Sequence, residues 1–259
     1  MSNRAILVVS FGTSYKETRD KTLNQIEMDF KREFGEEQVV TAYTSQMILK
    51  KIKERDSIHI NNVTEAMEQI KEKGATEIYV QPTHILNGHE YEKMLSLMEP
   101  FKKEFEKIVV GKPLLTDSED YDNLVEIMCE EIGDIDNDEV VVLMGHGTGH
   151  FIDAAYAALD YRFKAKGSER IFVATVEGYP EINDIESSIA ATKAKKIRMI
   201  PLMVVAGDHA TNDMAGDDDS WKTMMEEKGY QVQCILKGLG EYDKIRKMYI
   251  DHLKDAINN

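Results

Sequence analysis

Several features that mark particular protein classes are scarce in this chain. Its 259 residues include only two cysteines, Cys129 and Cys234, so a disulfide framework is excluded and both thiols are expected to be reduced core residues. No run approaches the ~18 apolar residues of a membrane span, and no signal-peptide pattern is visible. Acidic residues outnumber basic ones, 47 to 32, and a net charge of −15 disfavours nucleic acid or an anionic membrane as partner. We therefore expect a cytoplasmic protein with neither partner.

Short apolar runs alternate with amphipathic helical stretches along the chain. The strand-like runs are 5–9, 38–42, 77–80, 107–111, 140–144, 170–176, 197–205 and 231–236. The helical stretches include 15–34, 61–73, 89–105, 119–132, 152–165, 181–195, 220–228 and 241–257. Such βαβ alternation predicts an α/β fold with parallel sheets flanked by helices.

The two halves of the chain resemble each other. The segment VVSFGT at 8–13 aligns with LMGHGT at 143–148 at an offset of 135 residues, and VTAY at 40–43 aligns with ATVE at 174–177 at an offset of 134. Pro82 and Gly88 match Pro201 and Gly207 at an offset of 119. Three matches in one order indicate a duplicated α/β unit. We predict an N-terminal lobe over residues 1–135 and a C-terminal lobe over 136–259, divided near the acidic turn at 134–139.

Three polar side chains follow strand-like runs in the second half. His146 lies in MGHGT at 144–148, Glu177 in TVEGY at 175–179, and His209 in AGDHA at 206–210. Ligand sites of open α/β sheets lie at the carboxyl ends of the strands, so the three should converge there. Two imidazoles and a carboxylate form an open divalent-metal site and include a base. The alignment sets Phe11 against His146, Tyr43 against Glu177, and His89 or Glu90 against His209. An aromatic face opposite a metal site suits a flat macrocycle with metal-ligating atoms.

These segments carry a resemblance to a known family. The segments at 9–14, 81–85 with 88–91, 144–148, 176–180, and 201–209 with 214–216 are similar to those of the anaerobic cobalt chelatases. Members of that family are class II chelatases of cobalamin biosynthesis that insert Co²⁺ into sirohydrochlorin, and they are related to ferrochelatases. The resemblance runs from residue 4 to about residue 255. It implies two similar flavodoxin-like lobes with the tetrapyrrole cleft between them. His89 departs from the pattern, because an acidic residue is expected after the glycine.

The resemblance implies a sirohydrochlorin cobaltochelatase, a metal chelatase of the lyase class. Its metal-binding and catalytic positions fall on His146, Glu177 and His209. The two histidines bind the metal and one of them accepts pyrrole protons; which one does so is left open. No tightly bound cofactor is expected. Co²⁺ is the substrate metal, with Fe²⁺ and Ni²⁺ as alternatives, because affinity order alone does not select cobalt. A homo-oligomer is also left open.

The substrate's carboxylates need donors in an acidic protein. Backbone N–H groups at helix N-termini favour anions, so we expect substrate contacts at three glycine-containing turns. These turns contain Ser10, Phe11, Gly12, Thr13 and Ser14 in the first, Gly88 and His89 in the second, and Gly147 and Thr148 in the third.

Other interpretations of the histidines remain. His146 and His150 have the spacing of helical zinc ligands, but Gly145, Gly147 and Gly149 favour a loop. His84 is expected to be a buried, hydrogen-bonded histidine. A non-catalytic tetrapyrrole- or metal-binding protein is the rival function, and a phosphate- or flavin-binding protein is a third. The third leaves Glu177 and His209 without a role.

Overall fold

The fold consists of two α/β units, seen in a computed structural model that describes residues 4–258. The strands are Arg4–Ser10 (β1), Val39–Tyr43 (β2), Glu77–Pro82 (β3), Lys107–Val110 (β4), Glu139–Gly145 (β5), Ile171–Thr175 (β6), Lys196–Pro201 (β7) and Gln231–Cys234 (β8). The α-helices are Lys16–Lys21 (α1), Leu23–Phe34 (α2), Gln46–Asp56 (α3), Val63–Glu72 (α4), His89–Met98 (α5), Ser118–Ile132 (α6), Ala154–Ala165 (α7), Ile182–Ala191 (α8), Trp221–Glu227 (α9) and Asp243–Asn258 (α10).

Each unit contains one four-stranded parallel sheet with the same topology. The strand orders are β2-β1-β3-β4 and β6-β5-β7-β8. The central strands are apolar on both faces: residues 140–144 of β5 are completely buried. A parallel sheet covered by helices on both sides requires such continuous apolar runs rather than alternation. The predicted α/β class with two similar flavodoxin-like lobes is confirmed.

Strand register supports the predicted duplication and fixes its alignment. Val8 pairs with Gln81 in the first sheet and Leu143 pairs with Ile200 in the second, which reproduces the offsets of 135 and 119. The offset of 134 is wrong by two residues. Ser10 pairs with Tyr43 and Gly145 pairs with Thr175, so β2 and β6 are related by 132.

This two-residue shift changes the counterpart of Glu177. Ser45 N–H donates to the carbonyl of Phe11 in the first unit, and Glu177 N–H donates to the carbonyl of His146 in the second. Glu177 therefore corresponds to Ser45, which caps α3, and not to Tyr43. Short β-branched segments align with each other at several registers, so only the hydrogen-bonded ladder could select the correct one.

Three helical or strand segments differ from the prediction. The stretch 15–34 is interrupted at Thr22, whose hydroxyl donates to the carbonyl of Thr18 at 2.6 Å and so competes with the helical backbone bonds. The run 197–205 leaves the sheet after Pro201. Helix α3 was not among the predicted stretches; Ser45 caps its first turn, and Ile52 is its buried residue.

The chain divides differently from the predicted boundary at 135/136. One unit contains the described residues up to Thr116 together with those from Gly240 onward, and the other is Asp117–Leu239. Helix α6 thus belongs to the second unit, where it packs on α7, and α10 returns to the first, where it packs on α2, β3 and β4. The acidic turn at 134–139 is a local break in helix propensity, whereas the boundary depends on which sheet each helix covers. Among residues 4–258 no helix is both long and apolar enough to span a membrane.

Candidate metal centre

His146, Glu177 and His209 come together at the carboxyl ends of the second sheet. One ligand atom from each lies within 4.8 Å of the other two. The imidazole rings are nearly perpendicular, with centroids 4.6 Å apart. A divalent ion held at about 2.1 Å from each ligand requires donors about 3.4 Å apart in a tetrahedral arrangement. A movement of roughly an ångström therefore suffices for one ion to bind all three.

The ladder between β5 and β6 places the first two of these residues side by side. Beyond the strands, Val176 N–H donates to the Gly145 carbonyl at 3.1 Å and Glu177 N–H donates to the His146 carbonyl at 2.8 Å. His146 Nδ1 lies 3.9 Å from Glu177 Oε2. The side chains of all three ligands are accessible, 45% for His146, 57% for Glu177 and 30% for His209. An ion and a large organic substrate can therefore reach them.

Hydrogen bonds specify the tautomer of both histidines. His146 Nδ1 lies 2.8 Å from the carbonyl oxygen of Gly147, and His209 Nδ1 lies 2.7 Å from Oδ2 of Asp213. A carbonyl or carboxylate oxygen can only accept, so each Nδ1 carries the hydrogen. In the neutral ring the lone pair is then on Nε2, which is the atom left to bind a metal or to accept a proton.

His209 stands at the start of a single π-helical turn over Ala210–Met214. Thr211 N–H and its hydroxyl both donate to the Gly207 carbonyl, at 3.0 and 2.9 Å. Ala210 and Met214 point into the core while His209 and Asp213 stay accessible. Such π-turns are rare in proteins overall, but those that occur frequently lie at functional sites.

Asp153 connects the loops that carry His146 and Glu177. Its Oδ1 accepts from Thr148 N–H at 2.9 Å and its Oδ2 accepts from Tyr179 N–H at 2.5 Å. The loops also touch directly, because a Cβ added at Gly147 (φ 81°) would lie 2.5 Å from Gly178 N. A side chain at Gly147 would therefore separate the two ligand loops as well as strain its backbone.

The ring of Tyr156 packs against the loop that carries His146. The ring lies against Gly145, where an added Cβ would meet it at 2.4 Å. Burial raises the pKa of Tyr156 to about 12, while backbone hydrogen bonds to Gly147 and His146 act in the opposite direction. The hydroxyl is therefore neutral at physiological pH and is hydrogen-bonded to the backbone of this loop.

Of the substrate-contact residues predicted in the first turn, only Phe11 is exposed. Ser10 accepts a hydrogen bond from Thr83, Thr13 accepts one from Tyr15 N–H, and both are buried. Ser14 is also buried, and its carbonyl accepts from Arg55. Gly12 has φ 103° with the Tyr43 ring against it. Phe11 is 43% exposed and occupies the position that His146 occupies in the other unit.

The other two predicted turns differ in the contacts of their residues. Gly88 precedes α5 and His89 is its exposed first residue, with Nδ1 3.9 Å from Glu92. In the third turn, Thr148 N–H donates to Asp153 and His150 N–H donates to Thr148 Oγ1. His150 Nδ1 in turn accepts from Ile152 N–H, so His150 caps a 3₁₀ turn and does not form a helical pair with His146.

Three supporting residues escaped the sequence interpretation: Asp213, Asp153 and Tyr156. Asp213 had a detectable signal, since it lies four residues after His209 and could share a helical face with it. Asp153 and Tyr156 had none, because their partners are backbone groups of loops whose path depends on the folded sheet.

Comparisons with known proteins identify the family of the chain. A family model described as cobalt chelatase (CbiK) matches residues 4–258. The sirohydrochlorin cobaltochelatase of Salmonella typhimurium is 38% identical over 261 residues, covering 98% of this chain and 97% of that protein. Sirohydrochlorin cobaltochelatase CbiKC of Nitratidesulfovibrio vulgaris is 29% identical, covering 100% and 92%.

Two solved structures share the fold at low sequence identity. SirB from Bacillus subtilis with Fe³⁺ superimposes with a TM-score of 0.67 at 15% identity, covering 100% of this chain and 97% of that one. CbiX, the terminal enzyme for biosynthesis of siroheme in denitrifying bacteria, superimposes with a TM-score of 0.55 at 14% identity, covering 98% and 99%.

Proposed function

This chain belongs to the cobalt chelatase (CbiK) family, and we propose that it inserts Co²⁺ into sirohydrochlorin with His146, Glu177 and His209 as the metal-binding and catalytic residues. The relative from Salmonella typhimurium, which aligns over nearly the whole length of both proteins, is named for this reaction. The observation that carries the residue assignment is the convergence of the three ligand atoms within 4.8 Å.

The site suits a metal that must be passed on. Three side chains leave coordination positions open, so the macrocycle nitrogens can enter before the protein ligands leave. Neutral imidazole is a borderline donor and carboxylate is a hard donor. Together they bind Co²⁺ less tightly than a set of soft thiolates would. The half-exposed position of all three residues gives the substrate access to the ion.

Proton transfer is coupled to metal transfer at these rings. Insertion of one dication displaces two pyrrole N–H protons, so the charge of the macrocycle is unchanged. With Nδ1 of each ring already donating, only Nε2 can bind the metal or accept a proton. A histidine that accepts a pyrrole proton must therefore first release Co²⁺. Glu177 then receives or disperses the protons, because its carboxylate lies beside His146.

An anaerobic assay tests the proposal. The purified full chain is mixed with sirohydrochlorin and Co²⁺, and the change in absorbance is followed for the wild type, His146→Ala, Glu177→Gln and His209→Ala. We expect kcat to fall by about 10²–10⁴-fold in the histidine variants, the usual contribution of a general base. Exposed His59, paired at 3.8 Å with Glu65, provides a control variant, His59→Ala, with unchanged kcat.

The same assay separates the rival functions. Insertion no faster than in buffer would leave a tetrapyrrole- or metal-binding protein as the function. Parallel reactions with Fe²⁺ and Ni²⁺ test the choice of metal, and cobalt should give the highest kcat/KM. The cytoplasmic location and the oligomeric state stay predictions.

A further inference from the structure

We propose that Asp213 is a positioning residue that holds His209 in the tautomer and orientation required for Co²⁺ binding. This inference rests on the proposed function, because it concerns a ligand of the same site. Asp213 does not itself belong to the set of three converging ligand atoms. Its effect would be exerted through the imidazole of His209.

The contact is short and its partners are partly shielded. His209 Nδ1 and Asp213 Oδ2 are 2.7 Å apart, which is the length of a charge-assisted hydrogen bond. The two side chains are 30% and 46% accessible. Both residues stand on one turn, His209 directly before the π-helical residues and Asp213 as the fourth of them. The buried side chains of Ala210 and Met214 anchor that turn in the core.

An unsupported imidazole has two problems as a ligand. It exchanges between Nδ1–H and Nε2–H tautomers, and it rotates about two side-chain bonds. Asp213 removes both freedoms, because a carboxylate only accepts and therefore selects Nδ1–H at one ring orientation. A hydrogen-bonded carboxylate also makes the opposite nitrogen a better donor to a metal.

His146 receives the equivalent support from the backbone. Its Nδ1 donates to the carbonyl of Gly147, a group that no substitution removes. The two metal-binding rings therefore have the same tautomer but different supports. Only the support of His209 can be changed by mutation, and His146 serves as an internal reference in the same molecule.

Two measurements on the metal-free full chain test the inference, both without tetrapyrrole. Long-range ¹H–¹⁵N spectra report the tautomer of each histidine, and titration with Co²⁺ followed by its visible absorbance gives Kd. In Asp213→Ala we expect His209 to populate the Nε2–H tautomer while His146 stays unchanged. Loss of an outer-shell partner typically weakens metal binding by about 10–100-fold, and Kd should rise within that range.

Two further variants identify the cause. Asp213→Asn keeps the size of the side chain, but its amide N–H can donate to Nδ1, so it should shift His209 towards the Nε2–H tautomer and bind Co²⁺ about as weakly as Asp213→Ala. Asp218→Ala removes a carboxylate from an exposed position five residues further along the chain and should bind Co²⁺ as the wild type does. His209→Ala, which removes the ligand itself, sets the upper limit of the loss.

The outcomes distinguish this inference from the proposed function. Wild-type Co²⁺ affinity in Asp213→Ala, together with a large loss in His209→Ala, would overturn the role of Asp213 and leave the metal site intact. Wild-type affinity in His209→Ala would overturn the site itself. If Asp213→Ala bound Co²⁺ weakly while His209 kept its Nδ1–H tautomer, charge rather than hydrogen-bond acceptance would be the cause, and the positioning role would be rejected.

Discussion

His84 is a histidine whose ring has no hydrogen-bond partner in the described structure. It lies two residues after β3, and both ring nitrogens are buried without a donor or acceptor. The Tyr91 ring is 6.5 Å from it, edge to face. Burial lowers the pKa of His84 to about 4, and the nearby Glu90 opposes this shift only in part. The ring nitrogens of His84 are therefore buried as predicted, but the prediction that the ring is hydrogen-bonded is wrong.

This environment predicts a loss of stability in mild acid. The unfolded chain binds a proton at His84 below about pH 6.5, whereas the folded chain binds it only near pH 4. The free energy of unfolding that the uncharged His84 ring contributes is fully present above pH 6.5. It is lost as the pH falls from 6.5 to 4. In that window the wild type should lose about 2–3 kcal/mol more free energy of unfolding than His84→Leu. Urea unfolding at several pH values measures the difference.

A matched variant separates His84 from the other groups that titrate in this window. His59 is exposed, so His59→Leu should retain the pH dependence of the wild type. Parallel pH curves for the wild type and His84→Leu would contradict the prediction.

At the scale of elements, the metal centre depends on loops that are joined after their strands end. The β5–β6 ladder continues for two residues beyond the strands, and Asp153 then accepts amides from both loops. Strand ends alone would bring His146 and Glu177 to one edge of the sheet. The additional bonds reduce the conformational freedom of the two loops and hold the ligands at a defined separation.

Asp153→Ala should therefore impair catalysis more than stability. Two amides, of Thr148 and Tyr179, lose their acceptor, which costs about 1–2 kcal/mol in free energy of unfolding. Displacement of the ligand loops by about an ångström should lower kcat/KM for Co²⁺ insertion by about 10–100-fold. Thermal unfolding and the insertion assay together measure both effects.

Asp160 in α7, the helix that directly follows Asp153, offers a matched control. Its Oδ1 accepts from Val173 N–H in β6 at 2.9 Å and its Oδ2 accepts from Lys164, away from the three ligands. Asp160→Ala should lose a similar amount of stability and keep its kcat/KM. Equal losses of kcat/KM in the two variants would indicate a general structural effect instead.

At the scale of the whole chain, the last helix belongs to the first unit. Tyr249 in α10 is buried and its hydroxyl donates to the carbonyl of Thr83 at 2.8 Å, 166 residues away in sequence. Arg246 pairs with Asp29 at 2.6 Å, and both side chains are largely buried. The first unit is thus complete only after the whole second unit has been synthesised.

Tyr249→Phe should destabilise the first unit by about 1–2 kcal/mol, because it leaves the Thr83 carbonyl buried without this donor. Chemical denaturation measures the change in the free energy of unfolding. Tyr161 is 72% exposed, so Tyr161→Phe should have no effect. A Tyr249→Phe protein as stable as the wild type would show that α10 is held by its apolar contacts alone.

The sequence by itself determined the α/β class, the repeat, the family and the three candidate ligands. It could do so because apolar runs, turn residues and the order of short motifs are local properties of the chain. Tertiary structure decided the register that sets Glu177 beside His146, the carboxylate behind His209 and the unit that receives α10. Each of these depends on hydrogen bonds or packing between residues that are distant in sequence. The local sequence pattern permits several such pairings, and only the folded sheet selects one of them.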